Sequence, residues 1–206
     1  MRAPRLTVAI LAGGEASRLG GRDKGLELLA GRPLIAWSVE FCRTHIAGKT
    51  QGEGELALVI VANRNLDEYA RHARVLTDMA SGFRGPLAGV AAALDDCATP
   101  LLLTMPVDSP EPPADLAARL LAAMDTGTTP AVVAHDGEGR QPLFALYRRD
   151  LSARAAAAAV AGQGVWQWQD AIGAREVDFA DRRQQFHNLN TPEDFAAYTD
   201  ALRSRD

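Results

Sequence analysis

The sequence predicts an α/β protein built on a mainly parallel sheet, and three observations carry that expectation. Short, continuously apolar runs alternate with stretches of helical period, the pattern of strands covered by helices on both faces. Three of the helical stretches open with a proline, the residue favoured at a first helical position. A glycine-rich, cation-bearing loop follows directly on the first apolar run. With 206 residues, 47% hydrophobic and 23% charged, the chain is long enough to bury a substantial core as a single domain, 1–206.

Taken in order, Leu6–Leu11 is the first strand. Pro33–Thr44 is the first covering helix, with Leu34, Trp37 and Phe41 on one side. The polar, glycine-rich stretch Gly48–Glu55 reads as a surface loop leading to the strand Leu56–Ala62. Val75–Thr77 is a short strand, Pro86–Cys97 a helix and Leu101–Met105 a central strand. Pro113–Met124 is a helix with Asp115 in its first turn, complementing the helix dipole. Ala131–Ala134, Leu143–Tyr147 and Glu176–Phe179 are strands, and Leu151–Ala161 is an alanine-heavy helix. Thr191–Arg203 is the last helix, with Thr191 as N-cap, Pro192 first, and Asp194 in the acidic place of a capping box. Trp166 and Trp168, two apart, predict one ring packed inward and one facing solvent.

Charge and cysteine usage narrow the function classes. A net charge of −4 and a pI near 5.6 give no electrostatic reason to expect a nucleic-acid partner, so an anionic substrate must meet a local cationic patch. The dense one beside glycines is Arg18–Lys24. Cys42 and Cys97 lie far apart without CxxC or zinc spacing and read as buried thiols. The N-terminal residues lack the pattern of a signal peptide, and no stretch has the length of a membrane span. A cytoplasmic protein with no membrane partner is expected.

The loop Leu11–Gly25 is the chemically informative segment. Glycine lacks a Cβ and reaches positive φ cheaply, so backbone amides can close on phosphate oxygens while Arg18, Arg22 and Lys24 supply charge. It is not a Walker A loop, which needs glycine before lysine and Ser or Thr after it; Asp23, Lys24 and Gly25 break both requirements. Nor does Gly-x-Gly-x-x-Gly follow the first strand. Gly13 and Gly14 by themselves read equally well as a strand-to-helix turn. Asp108, near the carboxyl end of a central strand, is either a turn former or a holder of Mg²⁺, a hard cation that takes carboxylate and phosphate oxygens.

The whole string decides between these readings by resemblance. Leu-Ala-Gly-Gly at 11–14, Arg18, Gly20, Gly21, the Asp23–Gly25 triplet and Gly31–Pro33 resemble the signature of the nucleotidyltransferases that include sugar-nucleotide pyrophosphorylases. The Gly-Gly-x-Asp-Lys-Gly form is similar to the molybdenum cofactor guanylyltransferases of the MobA type. The likeness runs on through Asp78, Gly85–Gly89, Asp108, Gln141–Pro142 and Phe186–Asp194, nearly the whole chain in one order. It implies a three-layer αβα, Rossmann-like nucleotidyltransferase fold on a mostly parallel mixed central sheet, its N-terminal part binding GTP and its C-terminal part molybdopterin.

The activity so implied is transfer of GMP from GTP to molybdopterin or its molybdenum-loaded form, with release of pyrophosphate. Arg18, Lys24 and Asp108 are the implied catalytic residues. Leu11, Ala12, Gly13, Gly14, Lys24, Asp78, Gly85 and Asp108 are implied to bind GTP, Asp108 also Mg²⁺, and Gln141, Asn188 and Asn190 the molybdopterin. Transient contacts with cofactor-biosynthesis proteins and recipient molybdoenzymes follow from the same likeness. Val61 stands where the family often has an asparagine that contacts GTP. The alternatives are a cytidylyl- or sugar-phosphate nucleotidyltransferase of this fold, and a nucleotide-binding regulator without catalysis.

Overall fold

Every side chain of Leu6–Leu11 (β1) is buried; Leu6, Val8 and Ile10 pack on one face of the sheet, Ala9 and Leu11 on the other. That alternation makes β1 the middle of a three-layer structure, since a strand's successive side chains point to opposite faces. The computed structural model describes residues 6–13, 22–47, 56–78, 85–124 and 128–204; the expected loop Gly48–Glu55 lies outside them, as do Gly14, Arg18, Gly20 and Gly21.

The other strands of the main sheet are Ala57–Val61 (β4), Arg74–Leu76 (β5), Leu101–Pro106 (β6), Ala131–His135 (β7), Arg140–Arg148 (β8) and Arg175–Asp178 (β9). Their order is β5-β4-β1-β6-β8-β7-β9. Pairings β5–β4, β4–β1, β1–β6 and β7–β9 are parallel, and β8 runs against both β6 and β7. The sheet is thus mixed and mostly parallel, with the carboxyl ends of β1, β4, β5, β6 and β7 on one edge. Because β8 is reversed, its first residues reach that same edge.

One face is covered by Leu34–Phe41 (α1), Leu66–Ala70 (α2), Leu116–Ala123 (α4) and Pro192–Arg203 (α7). Pro86–Asp96 (α3), Ser152–Val160 (α5) and Val165–Ile172 (α6) cover the other. The small side chains of Ala91, Ala155 and Ala159 let α3 and α5 pack closely there. Both cysteines are buried free thiols, and burial pushes the Cys42 thiol well above its ordinary range.

Three local expectations need correction. Pro33 does not open α1; it pairs with Leu28 in a small hairpin, Leu28–Leu29 (β2) with Arg32–Pro33 (β3), and the helix begins at Leu34. Ala30 and Gly31 make the hairpin turn with φ of 49° and 80°, the two positive angles a two-residue turn of this twist requires. Asp115 stands at the N-cap of α4 without a capping hydrogen bond; its Oδ2 accepts from Arg119 Nε at 2.8 Å instead. The strand expected at Leu143 starts at Arg140 and skips register between Val133 and Ala134, so that Pro142–Phe144 bulge out. Proline cannot donate to a ladder, and a bulge is where it fits. The tryptophan expectation holds: on α6, Trp168 is packed inward and Trp166 is half exposed.

The last helix forms as read. Thr191 Oγ1 accepts from Asp194 N at 3.2 Å, while Asp194 Oδ2 accepts from the amides of Thr191 and Asn190, each at 2.8 Å. These backbone bonds hold the Asp194 carboxyl below its usual range. The unfolded chain therefore binds that proton more readily, so the contribution is present above the ordinary aspartate pKa and lost as pH falls through the lowered value. Asp194→Asn is expected to cost about 1 kcal/mol at neutral pH and to flatten the fall in stability below pH ~4. Urea denaturation at several pH values reads both; an unchanged acid limb contradicts the assignment.

Candidate functional site

Three segments far apart in sequence meet at one ammonium group. Lys24 sits in a single 3₁₀ turn, Lys24–Leu26. Its Nζ donates to Asp108 Oδ2 at 3.0 Å and to Asn190 Oδ1 at 2.7 Å. Asp108 follows the end of β6, the strand that flanks β1, and Asn190 precedes α7. The capping box fixes Asn190 by its amide, and its Nδ2 donates to Asn188 O at 3.2 Å. Leu189 N donates to Asp108 O at 2.9 Å and Ser109 Oγ to His187 O at 2.9 Å, stitching the C-terminal segment onto the end of β6. The side chains of Lys24 and Asp108 retain 22% and 19% of their exposure, so the group is set in the sheet edge yet open to a ligand.

The oxygens left over suit a hard cation. Asp108 Oδ1 and Asn188 Oδ1 are both buried without a hydrogen-bond partner, an arrangement that is costly unless something else satisfies them. Among the described residues no cluster of three or more His, Cys, Asp or Glu could cage a metal unaided. One carboxylate supplemented by ligand phosphates is the usual environment of Mg²⁺, and the residues present fit that mode.

A second cluster lies at the ends of β1, β4 and β5. Asp78 N donates to Asn63 Oδ1 at 3.1 Å, and a Cβ on Gly13 would come 3.8 Å from Asn63 Nδ2. Burial raises the Asp78 pKa while a hydrogen bond from Asn63 opposes the rise. Val61, at the position where the family often has an asparagine, is buried beneath α3: a Cβ on Gly89 would lie 3.3 Å from Val61 Cγ1 and 3.4 Å from Leu11 Cδ2. Helix–strand packing therefore accounts for Gly89. Asn63, two residues on and exposed, offers an amide at this place.

The remaining expected residues divide. Leu11 is buried and its carbonyl accepts from Val107 N at 3.1 Å; the Ala12 amide donates to Val61 O at 2.8 Å. That bond removes the Ala12 amide from the expected phosphate cradle. Gly13 is exposed at the end of β1, whereas Gly14 and Arg18 fall outside the described residues. Gly85 precedes α3 at the same edge, with φ 109° and ψ 167°. Gln141, on β8, donates to Asp136 Oδ2 at 2.7 Å; among the described residues no hydrogen bond joins it to Asn188 or Asn190. Gln169 Nε2 holds the neighbouring Pro142 carbonyl at 2.8 Å.

Comparison with known proteins places the chain in a family. The family model described as the MobA-like NTP transferase domain matches residues 8–177. The chain belongs to this family. It is similar to the molybdenum cofactor guanylyltransferase of Shewanella amazonensis, 38% identical over 200 residues, covering 96% of this chain and 97% of the relative. Its likeness to the protein of the same name from Burkholderia vietnamiensis is 39% over 205 residues, covering 94% and 95%. Among solved structures, molybdopterin-guanine dinucleotide biosynthesis protein A from Archaeoglobus fulgidus superposes with a TM-score of 0.76 at 20% identity, over 97% of this chain and all of that one. The 4-diphosphocytidyl-2C-methyl-D-erythritol synthase of Anaerococcus prevotii superposes with a TM-score of 0.70 at 11% identity, over 97% and 96%. At such identities both report the fold, that of the nucleotidyltransferases.

For this MobA-like chain the backbone at Gly85 makes a direct test of the site's frame. A Cβ there would meet nothing within 4 Å, but its φ and ψ lie in a region essentially confined to glycine. Gly85→Ala is expected to destabilise the fold by about 1–3 kcal/mol, read by urea denaturation, despite the open space. A neutral substitution contradicts that conformation.

Proposed function

We propose that the protein transfers GMP from GTP to the terminal phosphate of molybdopterin or its molybdenum-loaded form. An acceptor phosphate oxygen attacks the α-phosphorus, the α–β anhydride bond breaks, and pyrophosphate leaves. The observation that supports this most strongly is Lys24 Nζ shared between Asp108 and Asn190, in a MobA-like chain whose relatives are named guanylyltransferases.

The acceptor phosphate already carries a nucleophilic oxygen, so the protein's work is alignment and charge neutralisation. Lys24 exchanges Asp108 and Asn190 for phosphoryl oxygens and offsets charge on the departing pyrophosphate, with Arg18 as a second cation. Asp108 would hold Mg²⁺ through its unpartnered Oδ1; when bound, the ion supplies Lewis-acid charge to phosphoryl oxygens. Leu11, Ala12, Gly13 and Gly85 form the wall beside the nucleotide, and the family likeness assigns Gly14 to the same task. Asp78, an acceptor, takes a guanine N–H or ribose hydroxyl, with Asn63 beside it. Asn188 and Asn190 serve the acceptor end, with Gln141 further along the same edge. On this reading the N-terminal part of one domain binds GTP and the C-terminal part molybdopterin, and the work is done in the cytoplasm. Brief contacts with cofactor-biosynthesis proteins and recipient molybdoenzymes complete the cycle. Among the described residues no helix is long and apolar enough to cross a membrane.

Incubation with Mg²⁺, a molybdopterin source and each of GTP, CTP and ATP separately, with products identified by mass, tests the reading. Expected are the guanine dinucleotide and pyrophosphate with GTP. Lys24→Ala and Asp108→Ala should each lower kcat by about 10²-fold or more while remaining folded. A cytidine product, GTP binding without pyrophosphate, or wild-type turnover by either variant overturns it.

A further inference from the structure

Lys24 is flanked by a network centred on a buried carboxylate, that of Asp23. The Asp23 side chain is 4% exposed, yet three residues from the segment after β4 converge on it. Tyr69 Oη donates to Asp23 Oδ1 at 2.6 Å, and Asn65 Nδ2 donates to Oδ2 at 2.9 Å. Arg64 Nε lies 3.4 Å from that second oxygen, and its Nη2 donates to Arg22 O at 3.0 Å.

On the other side of Lys24, Gly25 is pressed against the same tyrosine. A Cβ there would stand 2.3 Å from Tyr69 Oη and 3.1 Å from two ring carbons. Tyr69 itself is fully buried. Both chain neighbours of Lys24 are thus fixed by one phenol, through a hydrogen bond and through contact. Leu26 N donates to Asp23 O at 3.0 Å and closes the turn. Burial, and then the bond to Asp23, push the phenol's pKa far upward, so Tyr69 stays a donor.

We infer that Asp23 and Tyr69, assisted by Asn65 and Arg64, are positioning residues of the transfer: they hold the turn so that the Lys24 ammonium projects onto the Asp108–Asn190 edge. The inference rests on the reading that Lys24 works on phosphoryl oxygens. It assigns a role in the reaction to the β4–α2 segment, which contributes no group to the Lys24 junction. It also gives the lysine motif's other two residues separate tasks. Asp23 is the anchor, and Gly25 makes room for the hydroxyl that grips it.

Lys24 and Lys49 are the chain's two lysines, which allows a readout independent of catalysis. The full-length protein and its Tyr69→Phe variant are treated with the acetyl ester of N-hydroxysulfosuccinimide, and acetylation of Lys24 relative to Lys49 is followed by peptide mass spectrometry. Freed from its fixed place on Asp108, Lys24 is expected to react severalfold faster in the variant. In parallel, kcat for GMP transfer should fall about ten- to a hundredfold, with a smaller change in KM for GTP. Introducing Tyr69→Phe into Lys24→Ala should produce no further loss of GTP affinity.

An unchanged acetylation ratio in folded Tyr69→Phe overturns the inference, as does a raised ratio with wild-type kcat. If Tyr69→Phe does not fold, Asn65→Ala, at an exposed residue bonded to the same carboxylate, is held to the same criteria. If the wild type transfers no GMP, the functional reading fails, and the acetylation ratio still decides whether the network positions Lys24.

Discussion

The bond between Lys24 Nζ and its two acceptors, Asp108 and Asn190, organises the functional edge of this protein. It draws together the turn after β1, the end of the central strand β6 and the segment that starts the last helix. Without it, Asp108 and Asn190 would share an edge without sharing a purpose. Each acceptor is held independently: Asp108 by its place after β6 and the Leu189 amide on its carbonyl, Asn190 by the capping box of α7. The lysine therefore meets a preformed pair of oxygens. The Asp194 cap thus does more than end a helix; it keeps a site residue in register.

Electrostatics separates this junction from the other ion pairs. Arg74–Asp96 and Arg119–Asp181 lie on the surface, where such pairs contribute little because water and salt screen them. Lys24 and Asp108 are about four-fifths buried, at the carboxyl edge where open α/β sheets receive ligands. In a chain of net charge −4, a cation held there is a local attraction for polyphosphate against an unfavourable average field. The fold supplies the rest of the geometry by strand direction, since the parallel strands end on this edge and the reversed β8 begins there.

Much of this was legible in the sequence, for a physical reason: strands buried on both faces read as continuous apolar runs, so β1, β4 and β6 stood out. Asp108 was visible because it follows one of those runs, and Thr191–Asp194 because capping is a local chemistry with a fixed spacing. What escaped depends on contacts that no local pattern encodes. Lys24 and Asn190 are 166 residues apart, and Asp23 reads as part of a motif until Tyr69 is found on it. Asn63 carries no local signal, because the family likeness points to position 61, which the structure gives to helix packing. The helix α6 opens at a glycine, whose amide donates to Gln167 Oε1 at 3.3 Å, and carries no hydroxyl cap to announce it. The three residues Pro142–Phe144 that bulge from β8 hid the strand's true start.

The central claim is that Asp108, with one oxygen on Lys24 and the other unpartnered, receives the metal of a nucleotide–metal complex at this edge. Electron paramagnetic resonance of Mn²⁺, titrated into the protein with GTP present, measures it directly by the loss of the free-ion signal. Wild type is expected to bind Mn²⁺ in a GTP-dependent manner, and Asp108→Asn, nearly the same in shape but lacking the charge, to lose most of that binding while remaining folded. Equal Mn²⁺–GTP binding by the two proteins would contradict it.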